Sequence, residues 1–146
     1  MRITAFVDNS AMAHQVAVDT DGSRQSLGVP PKASGPGSGV NGGEFLMLAL
    51  ATCYCNDLYR EARRLGIPLE AVQVEASADF PGVGLAATDI RYRASVRSSA
   101  PQDDIARLLA ETDAVAEVHN TLRAGCAVVF EPIMAPCPPS RSAPLQ

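Results

Sequence analysis

The sequence predicts a single α+β domain, and three observations support that prediction. An almost wholly apolar run, residues 45–50, follows a glycine-rich loop and predicts a long helix buried at the centre of the fold. Segments of alternating polarity precede this helix, and more follow it together with helical periodicity. At 146 residues the chain has the usual size of one domain with a substantial core.

The first segments predict antiparallel strands. Residues 3–8 and 14–20 alternate loosely in polarity, as half-buried strands do. Asp21 and Gly22 then separate the second segment from residues 26–29, and Asp-Gly between such segments is typical of a hairpin.

The central helix has recognisable ends. Asn41 is a suitable N-cap, and Glu44 stands three residues later, where its carboxylate can complete a capping box. Gly66 follows the last basic residues and predicts the C-terminal end. The sequence thus predicts a helix over about Gly42–Leu65, whose apolar part is far too short to span a membrane.

The remaining elements follow in order. Residues 71–78 and 90–97 alternate with period two and predict a strand pair. Helices are predicted at 102–109 and 114–122, and a closing strand at 127–130. The domain is predicted to occupy residues 1–131, and the proline-rich tail 132–146 to be loose.

Charge and the N-terminus exclude several classes. A formal net charge of −4 gives no basic surface for nucleic acid or an anionic membrane, so neither is expected as a partner. Asp8 comes too early for the apolar core of a signal peptide. We therefore expect a cytoplasmic protein.

The four cysteines do not predict a disulfide framework. Cys53 and Cys55 form a C-x-C pair within the helix, where the two side chains point to different faces. This is neither a redox C-x-x-C motif nor a zinc spacing, and the chain has only two histidines to complete a metal site. We expect free thiols, no metal and no cofactor.

Three stretches, residues 31–41, 44–53 and 114–125, resemble the OsmC/Ohr family of osmotically induced and organic-hydroperoxide-resistance proteins. They correspond to its loop before the central helix, its E-L-L-x-A-A-L-A-x-C helix, and its late C-P-x-S-x-T-L-R-x-G stretch. The resemblance covers roughly residues 3–131. It implies an α+β homodimer intertwined around paired central helices, with both sites at the interface.

The family's activity is thiol-dependent reduction of organic hydroperoxides. A thiolate becomes a sulfenic acid, which a second cysteine resolves to a disulfide, and an arginine held by a glutamate lowers the pKa of the first thiol. The resemblance assigns the attacking role to Cys53. It places the resolving cysteine at Ala116, the carboxylate at Gly43 and the arginine at Ala13, although Arg24 is close in sequence. Three of the four roles therefore fall on residues that cannot perform them.

Other residues are candidates for the missing roles. His119 lies on the same helical face as Ala116 and is predicted to act on Cys53 as a base or a cation, unless it is simply a helix-end residue. His14, beside the missing arginine, is an alternative. Cys55 and Cys126 are weaker candidates for resolution, and Cys137 lies in the tail. We expect that three residues just after Cys53 serve the helix surface or a dimer contact: Asn56, Asp57 and Tyr59.

The leading interpretation is weakened thiol chemistry at Cys53 on organic hydroperoxides or other lipophilic electrophiles, with an external thiol as reductant. One alternative is a non-catalytic dimer that binds a small apolar ligand. A Cys53–His119 hydrolase or transferase is the other. The expected ligand-binding residues are Glu44, Met47, Leu48 and Ala116.

Overall fold

The computed structural model describes residues 1–132. The five strands in this part of the chain are β1 (Ile3–Asn9), β2 (His14–Thr20), β3 (Ser23–Leu27), β4 (Ala71–Asp79) and β5 (Thr88–Arg97). The helices are α1 (Gly42–Leu65), α2 (Gln102–Val115) and α3 (Glu117–Ala124). The mixed composition confirms the predicted α+β class. The predicted loose tail lies outside the described residues, except for Pro132.

The strands form two antiparallel sheets. β1, β2 and β3 make a meander, and β4 pairs with β5 in a separate ribbon. The predicted hairpin after β2 is present: Asp21 and Gly22 both have positive φ, and the Gly22 N–H donates to the Asp19 carboxylate at 2.8 Å. A two-stranded ribbon is only marginally stable alone, so β4 and β5 depend on the helices packed against them.

Helix α1 begins and ends as its sequence predicts. The Asn41 side chain accepts a hydrogen bond from the Glu44 N–H at 3.0 Å, and the Glu44 carboxylate accepts one from the Asn41 N–H at 2.7 Å. Gly66 ends the helix in the left-handed region, with φ of 69°. Both caps satisfy backbone groups that would otherwise lack partners.

The hydrophobic core lies between the second half of α1, helix α2 and the inner face of the β4–β5 ribbon. Leu58 and Leu108 are completely buried there. The Tyr54 hydroxyl donates to the Leu109 carbonyl at 2.8 Å, which fixes α1 against α2. No residue of β1, β2 or β3 belongs to this cluster among the described residues.

A single chain does not cover α1 on every side. Its buried apolar residues lie on one stripe in the middle and second half: Leu50, Tyr54, Leu58 and Ala62. Leu48, nearer the N-terminus, is 57% exposed. The reason is architectural, because the β4–β5 ribbon and the other helices cover only one side of α1.

Two predictions about the C-terminal region also need correction. α2 continues to Val115 and α3 starts at Glu117, with Ala116 between them in an extended conformation. The predicted closing strand at 127–130 does not form within the described chain, where Val128 is 98% and Phe130 87% exposed. A strand needs a partner, and this segment pairs with neither sheet in the single chain. None of the helices described within residues 1–132 is long and apolar enough to cross a membrane.

Candidate thiol site

Cys53 lies midway along α1, partly buried beneath the start of α3. Its Sγ is 3.3 Å from Asp57 Oδ2, to which the thiol donates, and 4.0 Å from Glu117 Oε2. The Val118 N–H also hydrogen-bonds to the sulfur. The thiol is therefore held between two carboxylates and one backbone amide of the first turn of α3.

A second layer of charge surrounds these carboxylates. Arg60 Nη1 lies 2.6 Å from Asp57 Oδ1 and 3.7 Å from Glu117 Oε1, and Arg60 Nε lies 3.2 Å from Glu61 Oε1. Helical spacing explains the cluster, since Asp57 follows Cys53 by four residues and Arg60 follows Asp57 by three. Arg60 thus neutralises the carboxylates that contact the thiol without contacting the sulfur itself.

This environment favours the protonated thiol. Burial is the largest cause that raises the pKa of Cys53, and the charges of Asp57 and Glu117 raise it further. The Val118 N–H opposes them, because an amide at a helix N-terminus stabilises a thiolate. The net effect raises the pKa above that of an ordinary cysteine, so the thiol is protonated at neutral pH.

His119 is buried but does not hydrogen-bond to Cys53. It is 3% exposed, with its ring centre 4.3 Å from that of Tyr92 and 5.7 Å from that of Tyr54. Neither ring nitrogen has a hydrogen-bond partner in the described part of the protein. Burial, followed by the charge of Arg123, lowers the pKa of His119. The structure therefore does not supply the Cys53–His119 hydrogen bond that a base would need.

The candidates from the N-terminal hairpin are occupied elsewhere. Ala13 is exposed in the turn between β1 and β2. His14 Nδ1 is 3.2 Å from the amide nitrogen of Asn9, and the Arg24 guanidinium stacks 4.3 Å from the centre of the Phe6 ring. None of these side chains hydrogen-bonds to the Cys53 sulfur.

The family's carboxylate position is filled by an aromatic ring. A Cβ built on Gly43 would lie 2.9 Å from Cζ of Phe80, so a larger side chain fits only if that ring moves. Phe80 lines an open, mainly apolar cavity of about 600 Å³ with Asn41, Gly43, Glu44, Met47, Ser77 and Ala78. Of the predicted ligand-binding residues, Glu44 and Met47 share this cavity. Leu48 is largely exposed, whereas Ala116 is fully buried in the core.

Sequence reasoning missed the polar neighbours of the thiol. Asp57, expected on the helix surface, is only 3% exposed and contacts Cys53, whereas Tyr59 is 45% exposed as expected. The spacing Cys53–Asp57–Arg60 was a usable signal, because residues three and four apart share a helical face. Glu117 had no local signal, since its contact joins distant segments.

The same three side chains are close enough together to be considered as a metal site. Cys53 Sγ and carboxylate oxygens of Asp57 and Glu117 lie within 4.8 Å of one another. The guanidinium of Arg60, however, already pairs with both carboxylates. The pKa of the Cys53 thiol is raised, and both carboxylates are already paired with a cation. We therefore assign no metal ion to this cluster.

Comparisons with known proteins place the chain in a family. The family model described as "OsmC-like protein" matches residues 35–131. The chain therefore belongs to the OsmC-like protein family. A curated relative, the uncharacterized protein YmaD of Bacillus subtilis (strain 168), is 36% identical over 86 residues, covering 56% of this chain and 57% of YmaD. The alignment thus spans little more than half the length of that relative.

Solved structures agree with this assignment at the level of the fold. An OsmC like protein from Mycoplasma pneumoniae superposes with a TM-score of 0.60 at 18% identity, covering 85% of this chain and 87% of that one. An organic hydroperoxide resistance protein OsmC from Legionella pneumophila gives 0.53 at 19% identity, covering 82% and 89%. At such identities the similarity establishes the architecture and leaves the chemistry to be argued from the site.

Proposed function

We propose that this protein reduces organic hydroperoxides or other lipophilic electrophiles slowly through the Cys53 thiol. The observation that supports this function is the position of Cys53, whose sulfur lies under the first turn of α3 with the Val118 N–H directed at it. Amides at a helix N-terminus stabilise a developing thiolate. Membership of the OsmC-like family gives the same expectation.

The proposed reaction has three balanced steps. The Cys53 thiol and a hydroperoxide give a cysteine sulfenic acid and an alcohol, so the sulfur is oxidised and the O–O bond is reduced. An external thiol then condenses with the sulfenic acid, forming a mixed disulfide and water. A second external thiol releases Cys53 and forms the reductant's own disulfide. An external resolving thiol is needed because Ala116, at the family's resolving position, has no sulfur.

The rate is expected to be low. The pKa of Cys53 is raised, chiefly by burial, so only a small fraction of the protein carries the reactive thiolate at neutral pH. Gly43 and Ala13 supply neither the carboxylate nor the cation that the family uses. We propose that the protein works in the reducing cytoplasm, because that compartment keeps thiols reduced and the described cysteines are free thiols.

The test is consumption of cumene hydroperoxide with excess dithiothreitol as reductant. We expect slow turnover by the unmodified protein, and its loss in Cys53→Ser. Cys55→Ser is the matched control, because Cys55 is two residues away on another helical face. Turnover that survives in Cys53→Ser, or is absent from the unmodified protein, contradicts the proposal.

We also propose that the protein is a homodimer joined through α1. The exposed Leu48 and the unpaired segment at 127–130 are apolar surface that a single chain leaves uncovered. Exposed apolar surface of this kind marks interfaces. A second copy would cover the helix, as the family resemblance implies, and would bring the sites to the interface.

A second candidate function is binding of a small apolar ligand. The cavity beside Phe80 supports it, because its walls are mainly apolar and its volume is in the range of ligand pockets. Fluorescence of the apolar probe anilinonaphthalene sulfonate should rise with the unmodified protein and fall in Phe80→Ala. Val83→Ala, in the β4–β5 turn, is the control. Equal fluorescence in all three proteins contradicts ligand binding at this cavity.

A further inference from the structure

The Cys53 thiol donates to a buried carboxylate, which is unusual for a thiol that must become an anion. Asp57 is 3% exposed and its Oδ2 lies 3.3 Å from Sγ, whereas Glu117 lies 4.0 Å away with a side chain that is 71% exposed. Asp57 is thus the carboxylate in hydrogen-bond contact with the reacting atom and shielded from solvent. A carboxylate in that position can hold a proton as well as oppose a thiolate.

Arg60 fixes the direction in which Asp57 points. Its Nη1 binds the far oxygen, Oδ1, at 2.6 Å, so that Oδ2 faces the sulfur. Arg60 is in turn held by Glu61 at 3.2 Å. The carboxylate is therefore anchored on one side by a cation and hydrogen-bonded on the other side by the thiol.

We propose that Asp57 carries the proton of the Cys53 thiol to the leaving oxygen of the hydroperoxide, with Arg60 as the residue that positions it. This inference rests on the proposed reaction of Cys53. As the sulfur attacks, the S–H proton passes to Asp57 Oδ2, an S–O bond forms and the O–O bond breaks. The proton then passes from Asp57 to the departing alkoxide, giving an alcohol and leaving Asp57 as a carboxylate.

This role gives the carboxylate next to the thiol a chemical purpose. An alkoxide is a poor leaving group, and protonation by a positioned acid accelerates such steps by about 10²–10⁴-fold. The charged groups that face the sulfur or its carboxylates are Asp57, Arg60 and Glu61 from α1 and Glu117 from α3. Among the described residues, Asp57 combines a hydrogen bond to the sulfur with burial.

The substitution Asp57→Asn separates proton transfer from simple charge. An amide cannot accept and return the proton, but it removes a negative charge that raises the pKa of Cys53. Alkylation of Cys53 by iodoacetamide at neutral pH, followed by mass spectrometry of its peptide, should therefore become faster. Formation of the sulfenic acid with cumene hydroperoxide, compared at equal thiolate fraction, should become about 10²-fold slower or more. A purely structural role would not move the two reactions in opposite directions.

Two further variants serve as matched controls. Glu117→Gln removes the exposed carboxylate 4.0 Å from the sulfur, so alkylation should quicken by less than in Asp57→Asn. Asp103→Asn, on the exposed first turn of α2, should leave both rates unchanged. The hydroperoxide rate per thiolate in Asp57→Asn could equal or exceed that of the unmodified protein. That result overturns the role of Asp57 but leaves the proposed function standing. Absence of a Cys53-dependent reaction in the unmodified protein overturns the proposed function and the inference together.

If Asp57→Asn fails to fold by circular dichroism, Arg60→Gln decides the matter. Arg60 is half exposed, so its replacement is tolerated more easily. Without the Arg60 cation, the negative charges of Asp57 and Glu117 raise the pKa of Cys53 further, so alkylation should slow. Asp57 Oδ2 is also no longer held towards the sulfur. A fall in the hydroperoxide rate per thiolate supports the proton-transfer role, and an unchanged rate per thiolate overturns it.

Discussion

Replacing Leu48 by Glu tests whether α1 joins two copies of the chain. Burial of a whole leucine side chain contributes about 2 kcal/mol. A single chain leaves Leu48 57% exposed, so more than half of that amount remains to be gained in an interface. A symmetric dimer contains the residue twice, so the two copies together contribute about 2 kcal/mol to the free energy of association. Losing that contribution raises the dissociation constant about 30-fold. Desolvation of the introduced carboxylate increases the effect.

The assay is sedimentation equilibrium over nanomolar to micromolar concentrations. We expect the unmodified protein to be dimeric at micromolar concentration and Leu48→Glu to shift towards monomer. Val83→Glu, at a fully exposed apolar residue of the β4–β5 turn, is the matched control and should leave the constant unchanged. A monomeric unmodified protein, or identical constants for Leu48→Glu and the unmodified protein, refutes the reasoning.

Three further predictions concern stability, measured by urea denaturation. Leu58→Ala should lower the free energy of unfolding by about 3 kcal/mol because Leu58 is completely buried between α1 and α2, and a loss below about 1 kcal/mol would contradict the described core. Asn41→Ala should cost about 1 kcal/mol through loss of the capping box, with Asn41→Ser largely retaining stability. The pKa of His119 is lowered in the folded protein, so below about pH 6.5 the unfolded chain binds a proton more readily than the folded chain does. The free energy of unfolding should therefore decrease as the pH falls from about 6.5 towards the lowered pKa. His119→Gln should flatten this loss between pH 7 and pH 5, and parallel curves for the two proteins would rule it out.

Local signals predicted the parts of the fold that local interactions determine. The limits of α1 followed from Asn41, Glu44 and Gly66, because a capping box and a left-handed glycine act within a few residues. The β2–β3 hairpin followed from Asp21 and Gly22 for the same reason. A break between the two helices was predicted, but its position at Ala116 could not be found in this way. Ala116 is a good helix former, and its extended conformation depends on burial against other elements.

That break determines much of the site. By starting α3 at Glu117, it directs the Val118 N–H at the Cys53 sulfur and brings the Glu117 carboxylate within 4.0 Å. The sequence indicated the thiol, but its surroundings depend on a tertiary contact between segments more than sixty residues apart. The prediction of a closing strand at 127–130 was wrong for a related reason. Alternating polarity indicates that a segment can form a strand, but it does not show whether the same chain contains a strand for it to pair with.

A thiol can be made to react with a peroxide in two ways that differ in their electrostatic requirements. A cation lowers the pKa and increases the thiolate fraction, whereas an acid beside the sulfur assists the departing oxygen. Gly43 and Ala13 remove the family's means of achieving the first. The pair of Asp57 and Arg60 satisfies the second, since the carboxylate contacts the sulfur and the cation holds its other oxygen. Asp57→Asn should therefore accelerate alkylation, which needs only the thiolate, and slow the hydroperoxide reaction per thiolate, which also needs the acid.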